Sequence, residues 1–255
     1  MDRFSELRAY IRGMRPVIAF SGGADSALLL EAARREGEVL AVTAATPLGS
    51  ERELADAKRF CDVRGIAHRT IWVDPLELVE VRENRKDRCY HCKKKIFESI
   101  LNVASGAPVL DGTNASDVSA YRPGRRALLE LGIRSPLLEL GFEKPEIVAL
   151  SAKLGLETAE RPPAPCLATR FPYGTSLTVT DLRRVERLET YLHERGISAC
   201  RARIHGALVR LEIERENFEL LERDEAFVSL CHTLGFHYVT LDLEGIRSGS
   251  MDIGV

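Results

Sequence analysis

The 255-residue sequence lacks any excess of one charge: 36 Lys and Arg stand against 38 Asp and Glu, a formal net charge of −2. Proteins that wrap nucleic acid through bulk charge carry a strong basic excess or patch, so no nucleic-acid partner is expected. No apolar run approaches the roughly 18–20 residues needed to span a bilayer. Residues 1–15 carry scattered charges and no continuous apolar core, so neither a secretory signal nor a membrane anchor is expected there. Six cysteines are too few for a disulfide scaffold in a chain of this length. A reducing cytoplasm is the expected location, and each cysteine is read as core filler, metal ligand or nucleophile. Internal repeats and low-complexity tracts are also missing. What is present, 45% hydrophobic and 29% charged residues, is ordinary for a globular protein and excludes disorder as the dominant state.

Short apolar runs alternate with amphipathic stretches through the first half. Strands are predicted at 17–20, 39–43, 70–73 and 108–110. Helices are predicted at 24–35, 51–64, 93–103 and 144–154. This alternation is the pattern of βαβ units and a parallel sheet. The style changes at Arg161-Pro162-Pro163-Ala164-Pro165-Cys166, where no helix interior can run through the prolines. A domain boundary is placed here, giving domains 1–160 and 161–255. The tail predicts helix 180–194, strands 199–204 and 207–213, helix 217–234 and strand 237–243, a small α+β domain.

The sharpest motif is Ser21-Gly22-Gly23-Ala24-Asp25-Ser26, between a predicted strand and a predicted helix. Paired glycines bring backbone N–H groups close to an anion, and the helix behind adds unpaired N–H groups and a positive dipole end. Ser21 and Ser26 supply hydroxyl donors, and Asp25 suits a divalent cation. The chain has no Walker motif, which points away from γ-phosphoryl transfer. A second polar loop, Asp111-Gly112-Thr113-Asn114-Ala115-Ser116-Asp117, follows the fourth predicted strand, where parallel sheets place ligand contacts. Gly112 and Asn114 are candidate nucleotide contacts, and Asp117 is a second candidate magnesium ligand. Tyr121-Arg122-Pro123-Gly124 offers a further cation near phosphates.

Cys166 follows the proline-rich stretch, on a backbone held extended. Arg170, four residues on, would favour its thiolate, the reactive form. In the predicted hairpin, Arg201, Arg203 and His205 share one face, with Arg210 and Glu212 on the polar side of the next strand. That stripe suits phosphate and carboxylate groups, or is the solvated face of a small sheet. Arg247-Ser248-Gly249-Ser250 is a last polar candidate. Cys89-Tyr90-His91-Cys92 is half a metal site, and no second C-x-x-C completes it. Cys61, Cys200 and Cys231 sit in apolar-periodic settings and are read as core.

The glycine loop resembles the signature of the PP-loop ATP pyrophosphatases, Ser-Gly-Gly-x-Asp-Ser, which implies an adenine nucleotide alpha hydrolase-like domain. The ordered set of motifs resembles the LarE family of ATP-dependent sacrificial sulfur transferases. It comprises residues 21–26, 88–93, 111–114, 121–124, 166–170 and 247–250. The resemblance implies ATP and magnesium at the glycine loop and adenylation of a carboxylate of a pyridinium-3,5-dicarboxylate mononucleotide. It further implies attack by Cys166, then elimination that leaves dehydroalanine, in nickel-pincer nucleotide synthesis. Arg122, Arg170, Arg201, Arg203 and Arg247 would then meet the substrate, and Glu212 would orient arginines or move a proton. A homo-oligomer is expected. Three alternatives stay open: a tRNA-thiolating PP-loop enzyme, an ammonia-using synthetase of the NAD synthetase type, and the same sulfur transfer run from an iron–sulfur cluster on cysteines such as Cys89 and Cys92.

Overall fold

The computed structural model describes residues 2–118, 123–159, 165–247 and 249–251. The chain forms two compact units, one of Met1–Val81 with Asp87–Pro163 and one of Arg82–Lys86 with Ala164–Val255.

The first unit is built on four parallel strands: β1 (Val17–Ala19), β2 (Leu40–Ala45), β3 (Ala67–Trp72) and β4 (Val109–Leu110). Their order is β3-β2-β1-β4, with Val17 in register with both Leu40 and Val109. Parallel neighbours need crossovers. Helices Ala24–Glu36, Glu51–Val63 and Arg88–Ala104 supply them. The chain winds outward from β1 through β2 to β3, then returns to the other side of β1 as β4. The carboxyl ends of β1 and β4 therefore flank a topological switch point, where open α/β sheets bind ligands.

Helix Ala24–Glu36 is buried almost all round, with Leu28, Leu29 and Leu30 fully enclosed. They share a core with Leu7 and Ile11 of helix Arg3–Ile11 and Ile147 of helix Lys144–Lys153. Each such side chain contributes roughly 1.5–3 kcal/mol by leaving water. A separate cluster of Val17, Val42, Phe97, Ile100 and Val109 packs helix Arg88–Ala104 onto the sheet.

In the second unit, β5 (Cys200–His205) pairs antiparallel with β6 (Leu208–Ile213), and β6 pairs parallel with β7 (Tyr238–Leu241). Gly206, at φ +64°, makes the turn between β5 and β6. Helix Val179–Glu194 buries Leu182, Val185, Leu188 and Leu192 at three- and four-residue spacing, and Thr178 caps it.

Three elements differ from the periodicity. The helix predicted from residue 93 begins at Arg88, with Arg88 and Tyr90 buried in its first turn, so Cys89 and Cys92 lie on a helix. The helix predicted over 217–234 is two, Phe218–Glu222 and Glu225–Thr233. The break falls where Asp224 accepts the Phe227 N–H and starts a new helix. Helix Arg3–Ile11 occupies a stretch read only as scattered charge. Asp2 caps it, and it buries Phe4, Leu7 and Ile11. Among the described residues, no helix is long and apolar enough to cross a membrane.

Candidate functional site

The glycine loop is held up to its first residue and then released. Phe20 N–H bonds to Val42 O at 2.9 Å, and Thr43 Oγ1 donates to Phe20 O at 2.8 Å. Gly22 then takes φ +80°, the left-handed region that glycine enters without a Cβ penalty. Gly23 starts helix Ala24–Glu36 with no side-chain cap. An uncapped helix start presents N–H groups and the positive dipole end to an anion. Ser26 Oγ donates to Gly23 O at 3.1 Å and lies 3.2 Å from Ser21 Oγ, so the two serines close the loop.

The loop after β4 is seated on that helix start. A Cβ on Gly112 would stand 2.8 Å from Ser26 N and 3.1 Å from the Asp25 carbonyl carbon, so only glycine fits. Asp111, buried beside it, accepts from Thr113 Oγ1 at 2.7 Å, Ser135 Oγ at 2.5 Å and Lys93 Nζ at 3.2 Å. Asn114 is 2% exposed, and its Oδ1 has no hydrogen-bond partner among the described residues. A buried unpaired acceptor in this position suits a ligand donor, such as the amino group of a base.

Asp25 accepts from Lys144 Nζ through both oxygens at 2.8 Å. Lys144 is absent from the motif reading. Lys144 N–H also donates to Ser116 Oγ at 2.9 Å, and Ala115 N–H to Phe142 O at 2.8 Å, which ties this segment to the second loop. One sequence signal marks it: a lysine in the first turn of a helix opposes the macrodipole and needs a local reason.

Asp117 Oδ2 accepts Asn114 N–H at 3.2 Å, closing a turn within its own loop. Among the described residues, no three His, Cys, Asp or Glu side chains converge as a metal site. Magnesium asks less, taking one or two carboxylates plus phosphate oxygens, and Asp25 at the glycine loop fits that demand. Cys89, exposed, and Cys92, half-buried, sit one helical turn apart. With no further ligand converging on them among the described residues, they do not by themselves fit a cluster or a zinc ion. Tyr121, Arg122 and Ser248 lie outside the described residues.

In the second unit, Cys166 is exposed and precedes the short turn Leu167–Arg170. Its carbonyl accepts Thr169 N–H at 3.0 Å and Thr169 Oγ1 at 2.8 Å. Arg170, 2% exposed, grips Glu189 with two bonds of 2.7 and 2.9 Å and donates to Pro165 O at 3.0 Å. Arg203 bonds Glu212 at 3.0 Å and Thr169 O at 2.6 Å. Arg210 reaches Glu212 at 3.0 Å and Asp242 at 3.1 Å, and Ser250 Oγ donates to Glu212 as well. Cross-strand register explains the grouping, since Arg201 faces Glu212 and Arg203 faces Arg210. Burial pulls the Arg170 pKa down. The Glu189 carboxylate outweighs it, with smaller contributions from Cys166 and Cys200, and the net shift is upward. Arg201 is held low by burial first and by Arg170 second.

These contacts show what each expected side chain binds within the chain. Arg170 and Arg203 are buried and donate to Glu189 and Glu212 and to the carbonyls of Pro165 and Thr169. They hold the cysteine turn. Glu212 is fully buried and takes donors from Arg203, Arg210 and Ser250. Of the charged stripe, Arg203 and Glu212 are buried, Arg210 is half-buried and His205 is exposed. Arg201 is half-buried and donates to Cys200 O at 2.7 Å, while Arg247 pairs with Asp242 and Glu244. Cys61 and Cys231 are fully buried core thiols, pushed up by burial to about 11 and about 12.

A parallel sheet with an uncapped glycine loop at its switch point, and a second glycine-bearing loop seated on it, defines a PP-loop α/β domain. No protein-family model matches the chain. It is 34% identical over 245 residues to the pyridinium-3,5-bisthiocarboxylic acid mononucleotide synthase of Lactiplantibacillus plantarum, covering 93% of this chain and 89% of that one. An uncharacterized protein of Synechocystis sp. is 39% identical over 93% of this chain and 92% of its own. An uncharacterized protein of Methanocaldococcus jannaschii is 30% identical over 96% and 95%. The chain belongs to the LarE family of sulfur transferases.

Proposed function

We propose that the protein is an AMP-forming sulfur transferase that converts a carboxylate of pyridinium-3,5-dicarboxylate mononucleotide to a thiocarboxylate, with Cys166 as the sulfur source. The observation that carries this reading is the exposed Cys166 at the head of a turn whose other contacts are buried. The 34% identity to a synthase named for the bisthiocarboxylic product supports the substrate class.

The roles follow from the chemistry. Backbone N–H groups and hydroxyls from Ser21 to Ser26 cradle the pyrophosphate of ATP, with Lys144 adding a charge and Gly112 and Asn114 lining the nucleotide. Asp25 is the carboxylate that would hold magnesium, which when bound draws electron density from the phosphates. Nucleophilic attack by the substrate carboxylate on the α-phosphorus releases pyrophosphate and leaves an acyl adenylate. The Cys166 thiolate, favoured by the Arg170 charge, attacks the acyl carbon and expels AMP. A base then removes the Cα proton of residue 166. The Cβ–S bond breaks, the thiocarboxylate leaves, and dehydroalanine remains. Arg201, Arg122 and Arg247 are the cations assigned to the substrate's phosphate and second carboxylate.

The test is the intact mass of the protein after incubation with ATP, magnesium and the dicarboxylate nucleotide, with Cys166→Ser as control. Loss of the elements of hydrogen sulfide from the wild type alone supports the reading. AMP formation with no mass change moves the sulfur source to a persulfide or a cluster and overturns it.

A further inference from the structure

The turn that carries Cys166 is gripped from a second side, by a residue from far earlier in the chain. Residues 82–86 lie in sequence between β3 and helix Arg88–Ala104, yet they pack in the second unit. Asn84 is fully buried there, at φ +48°. Its Nδ2 donates to Pro172 O at 2.9 Å and Phe171 O at 3.2 Å, with Ala168 O at the limit of 3.5 Å. Its backbone carbonyl accepts Gly174 N–H at 3.2 Å, and Arg82 O accepts Leu177 N–H at 2.6 Å.

Two features of Asn84 are costs. A left-handed backbone is unfavourable for any residue with a Cβ, although asparagine bears it best. Its Oδ1 is buried without a partner among the described residues. Such costs persist where the surroundings over-determine the residue, and they cluster at functional segments. Here the surroundings are the carbonyls just after Cys166. Arg170 and Arg203 hold Pro165 O and Thr169 O, and Asn84 holds Phe171 O and Pro172 O. Leu167, Ala168, Arg170 and Phe171 are buried, and Cys166 stands exposed at the head of the clamped turn.

We infer that Asn84 is a positioning residue for Cys166: it fixes the turn that presents the thiol, so the sulfur-transfer step depends on it and adenylation does not. The inference rests on Cys166 being the sulfur source. Full-length Asn84→Gly keeps the left-handed backbone and removes the amide. Asn84→Asp keeps the shape and puts a carboxylate oxygen against carbonyls. In single turnover with ATP, magnesium and the dicarboxylate nucleotide, pyrophosphate release should match wild type, while AMP release should fall by roughly 10- to 100-fold, the scale of a misplaced reactive group. Independently of turnover, the iodoacetamide alkylation rate of Cys166, referenced to Cys89 in the same molecule, should change several-fold, on the order of the lost restraint. Wild-type AMP release and an unchanged alkylation ratio in folded variants would overturn the proposal. If the wild type itself forms no AMP, the functional reading fails and the alkylation ratio alone judges Asn84. If neither variant folds, native-state hydrogen exchange of the wild type decides. Strong protection of the Gly174 and Leu177 amides supports the clamp, and exchange at open-loop rates sinks it.

Discussion

Asp25 and Glu212 are each the central carboxylate of their unit, and they are used in opposite ways. Asp25 meets one lysine, and the pair is part-exposed, at 27% and 41% of their side-chain surface. Glu212 has no exposed surface and takes two arginines and a serine. Around Asp25 the backbone is open: the helix start is uncapped, and a buried Asn114 oxygen has no partner among the described residues. Around Glu212 most donors go to carboxylates and to the Thr169 carbonyl, and Arg210 Nε is buried without a partner among the described residues. On the proposed function, the first arrangement leaves groups for a ligand that arrives and departs. The second uses charge as scaffold, so that one thiol can be held without being covered. Position in the motif does not distinguish the two uses; burial and partner count do.

The largest expected effect breaks the scaffold. Glu212→Ala leaves Arg203 and Arg210 without their shared carboxylate, and stranding buried charge costs about 3–5 kcal/mol. Hydrogen exchange of peptides from β5 and β6 under urea should show that loss, with β1 and β2 unaffected. A cost below about 1 kcal/mol would mean that water reaches the network and that the contrast with Asp25 is false. Next comes Gly112→Ala in the first unit. A Cβ 2.8 Å from Ser26 N must push the helix start away. Overpacking of this kind costs about 1–3 kcal/mol, and ATP affinity, read by calorimetry, should fall with it. Retained affinity would separate the second loop from the nucleotide site.

Much of the first unit is legible because its signals are local. Short β-rich runs, paired glycines and helix starts announce themselves within a few residues, and a strand–loop–helix order leaves few topologies. Arg203 and Glu212 are not legible in the same way. Period-two alternation says that they share a face with Arg201 and Arg210, but not that this face is covered. Ala202 and Val209 on the opposite face are buried, and on the charged face Arg203 and Glu212 are buried while His205 stays exposed, so alternation alone does not say which charged residues are covered. Lys144 carries a weak mark, its unfavourable place at a helix start. Asn84 carries none, since Arg82-Glu83-Asn84-Arg85-Lys86 reads as an ordinary polar connection and its partners lie more than 80 residues away. Helix Arg3–Ile11 shows only as three spaced apolar residues, Phe4, Leu7 and Ile11, among charges, which make no apolar run.

The smallest expected change in stability is the one that sharpens the comparison most. A part-exposed ion pair is worth about 0–1 kcal/mol, so Asp25→Asn and Lys144→Ala should each leave the melting temperature nearly unchanged. Their effect on binding should be larger. Each should weaken magnesium–ATP affinity by roughly tenfold or more, about 1.4 kcal/mol, although one substitution removes a negative charge and the other a positive one. Opposite charges can both favour one ligand only if each meets a different part of it, the aspartate the metal and the lysine a phosphate. Calorimetric titration with and without magnesium separates them. Asp25→Asn should abolish the metal's contribution to affinity, and Lys144→Ala should lower affinity in both conditions. If the pair serves only to hold the fold, both variants will melt lower and bind as wild type, and the first unit will have used charge as the second does.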